Sequence, residues 1–277
     1  MIKHLIPLCF LFSTFSALAA SSYYPQDFET KIHTQTDTQL KSTLFEVLNS
    51  FHIKQDNAPD TLAQSCTSKE TNCYRHIMLS YKQARQLMFG KIDLEEDTQG
   101  YFIKDVYCDR DMRTSDIGPN QIPGTQVVNC EHTWPQSRFS NAFPRDLQKG
   151  DLHHLYSTNA KANSTRGNYP FAEVTGGDQP APNCNASMIG GSKENANGIY
   201  FEPPAEHKGN VARALFYFSI RYQLPIDKAQ EDYLRQWHKE DPVTAADRKR
   251  NDAIYAEQKN RNPFIDFPEL VDHISDF

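Results

Sequence analysis

The sequence predicts an α+β fold, and three kinds of observation carry that reading. Apolar residues recur at helical spacing in early blocks and in several late ones. Short runs of β-branched and aromatic residues lie close together before residue 132. Strand-like and helix-like stretches are segregated along the chain rather than alternating. Of the 277 residues, 38% are hydrophobic and 12% aromatic, enough for a sizeable core and too many for a disordered chain. No clean linker divides the chain, so a single domain is expected. Internal repeats, heptads and low-complexity tracts are absent, which excludes solenoids, coiled coils and collagen-like rods. The 29 Lys+Arg against 35 Asp+Glu leave a net charge of -6. That argues against a binder of the basic-stripe kind and leaves a local basic groove open, because net charge is not charge distribution.

Residues 1–19 read as a secretory signal peptide. Lys3 supplies the positive start, Leu5 to Phe15 the apolar run, and Ala17-Leu18-Ala19 the cleavage site. The run is too short for a comfortable membrane span. Cleavage removes Lys3 and no acid, so residues 20–277 carry 28 bases, 35 acids and a charge of -7. An oxidising compartment, periplasm or medium, makes disulfides expected. Cys9 leaves with the signal, and Cys66, Cys73, Cys108, Cys130 and Cys184 remain, an odd number. Cys66 and Cys73 suit a local loop staple. Cys108 and Cys130 each end a strand-like run and suit a bridged hairpin, which leaves Cys184 free.

Residues 37–53 place Leu40, Leu44, Val47 and Leu48 at helical spacing, with Asp37 or Thr38 as cap. Residues 56–73 are polar and read as a loop. Residues 74–90 read as a helix stopped by Gly90. Residues 101–108 and 125–131 read as two strands with a Pro/Gly-rich link between them. Residues 151–166 read as a helix or a loop entering one. Residues 172–209 are rich in Gly, Pro and Asn, with a short strand at Ile199-Tyr200-Phe201. A structureless loop that long is uncommon, so part of it should pack. Residues 210–224 are apolar almost all round and should form the buried helix. Helical patterns at 227–239 and 243–258 follow, separated by Pro225 and Pro242.

The chemistry concentrates in residues 129–171. Glu131-His132 ends the second strand. A carboxylate there can serve a hard cation, and a neutral imidazole beside it can take a proton from water near neutral pH. Strand neighbours point to opposite faces, so both serve one site only if the strand ends or twists there. Pro135 soon after makes that ending expected. His153 and His154 are adjacent and cannot both point the same way. A zinc site built from His132, His153 and His154 is one reading of them. Asn159, Asn163 and Arg166 share a face if residues 155–166 are helical. An amide oxygen can bind Mg²⁺ or Ca²⁺, and a guanidinium suits phosphate.

These residues carry a family resemblance. CEHTWPQS, DLHHLY, the spaced asparagines before RGNYPF, FEPPAEHKGNVARALFYF and the late RNPFIDFPELV together resemble the bacterial endonuclease I family. The motifs are separated, in the same order, and run from about Arg75 to the end. The resemblance implies a ββα-metal nuclease core, a two-stranded hairpin plus helix, embedded in a mostly helical domain. It implies His132 as general base and Glu131 and Asn163 as ligands of one divalent ion, Mg²⁺ with Ca²⁺ or Mn²⁺ as alternatives. It implies supporting roles for His153, His154 and Asn159, although His154 stands where other members carry Asn. Ser157 stands where many members have Pro. Arg166 matches a basic position near the phosphate; some members instead use an Arg between the two His motifs, where this chain offers Arg138 and Arg145. Arg138, Lys161, Arg166, Lys208 and Arg213 are expected to build a basic groove.

The implied activity is a secreted or periplasmic, monomeric, non-sequence-specific endonuclease. Its partners would be double- and single-stranded DNA and also RNA, held through phosphate and sugar, which carry no sequence information. Water as the attacker removes any need for a 2′-hydroxyl, and the products would carry 5′-phosphates. Three alternatives are a mainly RNA-directed extracellular ribonuclease, a zinc hydrolase and a non-catalytic binding protein.

Overall fold

A computed structural model describes residues 22–67 and 71–277. The signal segment and Cys9 lie outside them. Helices α1 (Phe28–Thr34) and α2 (Asp37–Asn49) lead into strands β1 (Phe51–Gln55) and β2 (Ala58–Ala63), and β3 (Cys73–Tyr74) pairs with the other edge of β1. Leu40, Leu44, Val47 and Leu48 are the buried face of α2, as their spacing requires. The polar stretch expected to be loop therefore supplies an edge strand. Asp60, on β2, takes the hydroxyl of Tyr74 and lies 3.5 Å from the ring of His52.

Helix α3 (Tyr81–Leu87) starts seven residues later than its sequence pattern begins. Ser80 and Gln83 form a capping box that sets the start. It runs into a π-helical turn, Met88–Ile92, which contains Gly90. A Cβ at Gly90 would lie 2.6 Å from the backbone nitrogen of Asn120, so the close chain crossing, rather than a helix stop, requires glycine there. Strands β4 (Leu94–Asp97), β5 (Gly100–Asp105) and β6 (Arg110–Met112) form an antiparallel sheet in that order.

Strand β7 (Val128–His132) does not pair with β5. Past helix α4 (Arg145–Lys149) and the turn Leu152–His154, it pairs antiparallel with β8 (Leu155–Asn159), placing Glu131 opposite Tyr156 and His132 opposite Leu155. Helix α5 (Ala160–Arg166) follows β8 directly, so residues 151–166 are turn, strand and helix in succession. Gly167, at φ 56°, ends α5 in a conformation that favours glycine. Strands β9 (Met188–Gly190) and β10 (Tyr200–Glu202) pair within the Gly/Pro-rich stretch.

Helix α6 (Ala205–Tyr222) is buried on nearly every side, with α7 (Lys228–Glu240), α2 and the short α9 (Pro263–Asp266) packed against it. The capping box Thr244/Asp247 starts α8 (Ala245–Gln258). A main core surrounds α6. A second cluster lies under the β4–β5–β6 sheet and takes in Val128, Cys130, Leu152 and Leu155 from the β7–β8 hairpin.

That division decides the disulfides. Cys66 pairs with Cys73 as expected, but Cys108 pairs with Cys184 and Cys130 is the buried free thiol. Cys108 and Cys184 belong to the core around α6, whereas Cys130 points into the other cluster. The chain is α+β, and among the described residues no helix is long and apolar enough to cross a membrane.

Candidate active site

Strand β7 ends at His132, and Thr133 to Pro135 turn the chain away. Because the strand stops there, Glu131 and His132 line the same cleft despite being neighbours. The cleft is about 320 Å³ and is completed by Asn163 and Arg166 of α5 and by Tyr81, Gln136 and Asn168.

Glu131 is 2% exposed. Burial pushes its carboxyl above the usual range, and the Arg166 charge and the Tyr107 hydroxyl beside it pull the other way. Arg166 Nη1 lies 3.0 Å from Glu131 Oε1, an ion pair without an aligned hydrogen bond, so that oxygen retains unmet acceptor capacity. Arg166 is itself 2% exposed. It donates to the carbonyls of His132 at 3.3 Å and Thr133 at 2.8 Å, and it lies over the ring of Phe171. It therefore clamps the end of β7 rather than standing free in the cleft.

His132 Nε2 lies 3.1 Å from the carbonyl oxygen of Lys149. A carbonyl only accepts, so Nε2 carries the proton and Nδ1 is the acceptor. Gln136 Nε2 approaches Nδ1 at 3.4 Å. Burial pushes the His132 pKa well below the usual imidazole value, with the His154 ring adding to that. Asn163 donates its amide nitrogen to the Cys130 carbonyl at 3.3 Å, which leaves the side-chain oxygen as the remaining ligand atom.

His153 and His154 do not join them. His153 Nε2 donates to the carbonyl of Asn260 and His154 Nε2 to that of Gln148. Burial pushes both pKa values down to about 4. Among the described residues no three His, Cys, Asp or Glu side chains converge on a metal position, so a zinc site of His132, His153 and His154 is not formed. The His154 ring packs edge-on against that of His132, with centroids 5.3 Å apart. Asn159 is not on a shared helix face with Asn163. It precedes α5 and caps it, accepting from Lys161 and Ala162 nitrogens.

Sequence reading passed over Asp151, which holds this floor. It accepts from Tyr217, Tyr222 and Gln258 at 2.8, 2.8 and 2.7 Å. Burial raises its pKa, but His76, His153 and Arg221 outweigh that and hold the carboxylate low. The signal was present: an Asp two residues before His153, which caps that nitrogen.

The expected basic groove is not assembled from its five members. Arg213 is 1% exposed and faces Asp247 and the Asp241 carbonyl. Lys208 is held between Glu173 and Glu202 at 2.7 Å each. Lys161 is exposed on α5 and lines a separate recess with Asp178. Only Arg138 stands exposed beside the cleft, donating to the Asn168 carbonyl. Other cations border the cleft instead. Arg85 and Lys149 lie over Tyr81, and Arg145 lies over Phe139 and donates to the Gln136 carbonyl. None of Arg85, Arg138, Arg145 and Lys149 pairs with a carboxylate among the described residues. No single spacing in the sequence marks these four, because Arg85 comes from α3, Arg138 from the turn after β7, and only Arg145 and Lys149 share an element, α4.

Comparison with known proteins gives a consistent result. A family model described as Endonuclease I matches residues 36–269. An extracellular ribonuclease of Bacillus subtilis (strain 168) is 37% identical over 165 residues, 53% of this chain and 53% of that protein. An extracellular deoxyribonuclease of Aeromonas hydrophila is 28% identical over 149 residues, 52% of this chain and 63% of the relative. The Endonuclease-1 of Buchnera aphidicola subsp. Baizongia pistaciae (strain Bp) is 28% identical over 222 residues, 73% of this chain and 89% of the relative. The match with the Bacillus protein thus spans about half of that relative's length.

Proposed function

Because this chain belongs to the endonuclease I family, we propose that it is a secreted or periplasmic endonuclease. It hydrolyses phosphodiester bonds of DNA and RNA without sequence specificity, using one divalent ion. In this reading residues 1–19 are a signal peptide, residues 20–277 form a single catalytic domain, and β7, β8 and α5 are its ββα-metal core. The observation that carries it is the convergence of Glu131, Asn163 and the acceptor nitrogen of His132 on one cleft. Relatives named extracellular ribonuclease, extracellular deoxyribonuclease and periplasmic deoxyribonuclease support both the substrates and the compartment.

The residues fit a hard cation. Glu131 offers a carboxylate oxygen with unmet acceptor capacity, and Asn163 offers its amide oxygen. Two oxygen donors without a thiol favour Mg²⁺, with Mn²⁺ or Ca²⁺ as alternatives, over zinc. When bound, the ion supplies charge neutralisation at the phosphate and the leaving oxygen.

The chain's own groups do the rest. His132 Nδ1 takes the proton of the attacking water, and Nε2–H keeps its bond to the Lys149 carbonyl, which orients the ring and stabilises the imidazolium. Arg166 acts as a positioning residue through Glu131 and the His132 carbonyl. Arg85, Arg138, Arg145 and Lys149 hold the phosphates on either side. Water attack at phosphorus with cleavage of the P–O3′ bond leaves a 5′-phosphate, and the departing 3′-oxygen takes a proton from solvent to become the 3′-hydroxyl.

Supercoiled plasmid incubated with the mature protein tests this. Nicking with Mg²⁺, absent with EDTA and absent for a folded His132→Ala variant, is the expected result. Nicking that survives EDTA or His132→Ala overturns the assignment. The ribonuclease relative raises a second reading, a mainly RNA-directed enzyme, which the ratio of RNA to DNA cleavage rates decides.

A further inference from the structure

A second, more enclosed pocket of about 250 Å³ adjoins the cleft and shares Pro135 and Arg166 with it. Trp134, Tyr169 and Ile226 contribute apolar wall, and Thr133, Arg138, Arg166, Asp227 and Gln230 contribute polar groups. Two of these polar groups are unmet. Thr133 is 1% exposed, and its Oγ1 has no hydrogen-bonding partner in the protein. Arg166 is 2% exposed, and its Nε has none either, although its other nitrogens are engaged. Unmet buried donors of this kind call for a partner. The space exceeds what a bridging water needs, since a water's share of the liquid is about 30 Å³. A largely apolar, aromatic-lined recess with a few convergent donors is the form of a small-molecule site.

We propose that this pocket receives a nucleobase of the nucleotide flanking the scissile phosphate. The inference rests on the nuclease reading of the neighbouring cleft. With the phosphate at Glu131 and Asn163, the shared wall at Pro135 and Arg166 puts the pocket within one nucleotide's reach. The base stacks against the aromatic wall, and its ring carbonyl or ring nitrogen faces the side of the pocket formed by Thr133 and Arg166. Every base has a flat face and an acceptor, so the pocket adds affinity without reading sequence. In a duplex the same base must first leave the stack, which costs about a few kcal/mol. The pocket therefore favours single-stranded or frayed substrate.

A single-stranded DNA oligonucleotide with one abasic residue tests this, using the mature protein with Mg²⁺ and mapping every cut. One linkage beside the abasic residue should be cut about tenfold more slowly than the same linkage in the intact oligonucleotide, the scale of removing one base–aromatic stack. Tyr169→Ala should bring that ratio close to one, a change that a merely weakened fold does not produce. Uniform cutting through the abasic residue by the wild type overturns the proposal. An unchanged ratio in Tyr169→Ala also overturns it. Failure to cut either oligonucleotide sinks the nuclease reading itself, which is a different result.

Discussion

The Nε2–H of His132 is held by the backbone carbonyl of Lys149 at 3.1 Å, so the tautomer and the orientation of the ring are set by a main-chain atom on helix α4. No side-chain substitution at residue 149 removes that carbonyl. The roles proposed for His132 and for the Lys149 side chain are therefore separable.

His132→Ala should lower kcat by about 10²–10⁴, the usual contribution of a general base. A small change in thermal midpoint should accompany it. Steady-state rates on plasmid and a melting curve on the same preparation check both. A variant that loses its fold with its activity would instead give the ring a packing role.

Lys149→Ala and Arg145→Ala should raise KM and leave kcat largely intact. Each should reduce the slope of log affinity against log salt by about 0.9, the value for one neutralised phosphate of duplex DNA. Lys208→Ala should not change that slope, because Lys208 is committed to Glu173 and Glu202. A salt titration of binding, made with His132→Ala to prevent cutting, reads the slopes.

Arg166→Met should destabilise the fold by about 3–5 kcal/mol, since it strands a buried Glu131 without its counter-charge. Arg166→Lys should recover part of that stability, because the charge returns while the bonds to two carbonyls do not. Urea denaturation gives both numbers. Equal stability of all three proteins would show that the clamp carries nothing.

Thiol titration of the mature protein should find about one reactive thiol, and only after unfolding, because Cys130 is buried and the other four cysteines are paired. Removing the Cys108–Cys184 bridge, which joins residues 76 apart, should cost about 2–5 kcal/mol. Cys184→Ser together with Cys108→Ser, compared with the wild type in urea, checks it. A thiol that reacts in the native state would contradict the pairing.

Stability should fall as the solution is acidified below pH 6.5. Burial pushes the pKa of His207 from 6.5 down to about 3 and that of His238 down to about 4. Between those values the unfolded chain binds the proton and the folded chain does not, so lowering the pH favours unfolding. The stabilisation is complete above 6.5 and is lost at roughly 1.4 kcal/mol per pH unit for each fully buried ring. His207→Leu should flatten the pH dependence of the thermal midpoint over that window. An unchanged slope would place the acid sensitivity elsewhere.

Local patterns decided a good deal by themselves. The spacing of Leu40, Leu44, Val47 and Leu48 marked the buried face of α2, and the apolar run after Asn210 marked the central helix. Glu131, His132 and Asn163 were legible as candidates because carboxylate, imidazole and amide each have restricted chemistry. These readings depend only on periodicity and functional groups, which are properties of the chain itself.

Tertiary structure decided the rest. Which strand pairs with β7 depends on a chain excursion across α4, and hydrophobic alternation looks the same with either partner. Cys108 found Cys184 rather than Cys130 because the two cores draw the residues apart, and sequence separation carries no record of that. Asn159 became a cap because the helix begins one residue after it. The cationic border was the least legible feature. Lys208 and Arg213 are ordinary basic residues until Glu173, Glu202 and Asp247 fold against them, while Arg85, Arg145 and Lys149 gain their place only when separate segments meet around Tyr81 and Phe139. A charge has a type in the sequence, but its partner, and so its availability to a substrate, is a fact of three dimensions.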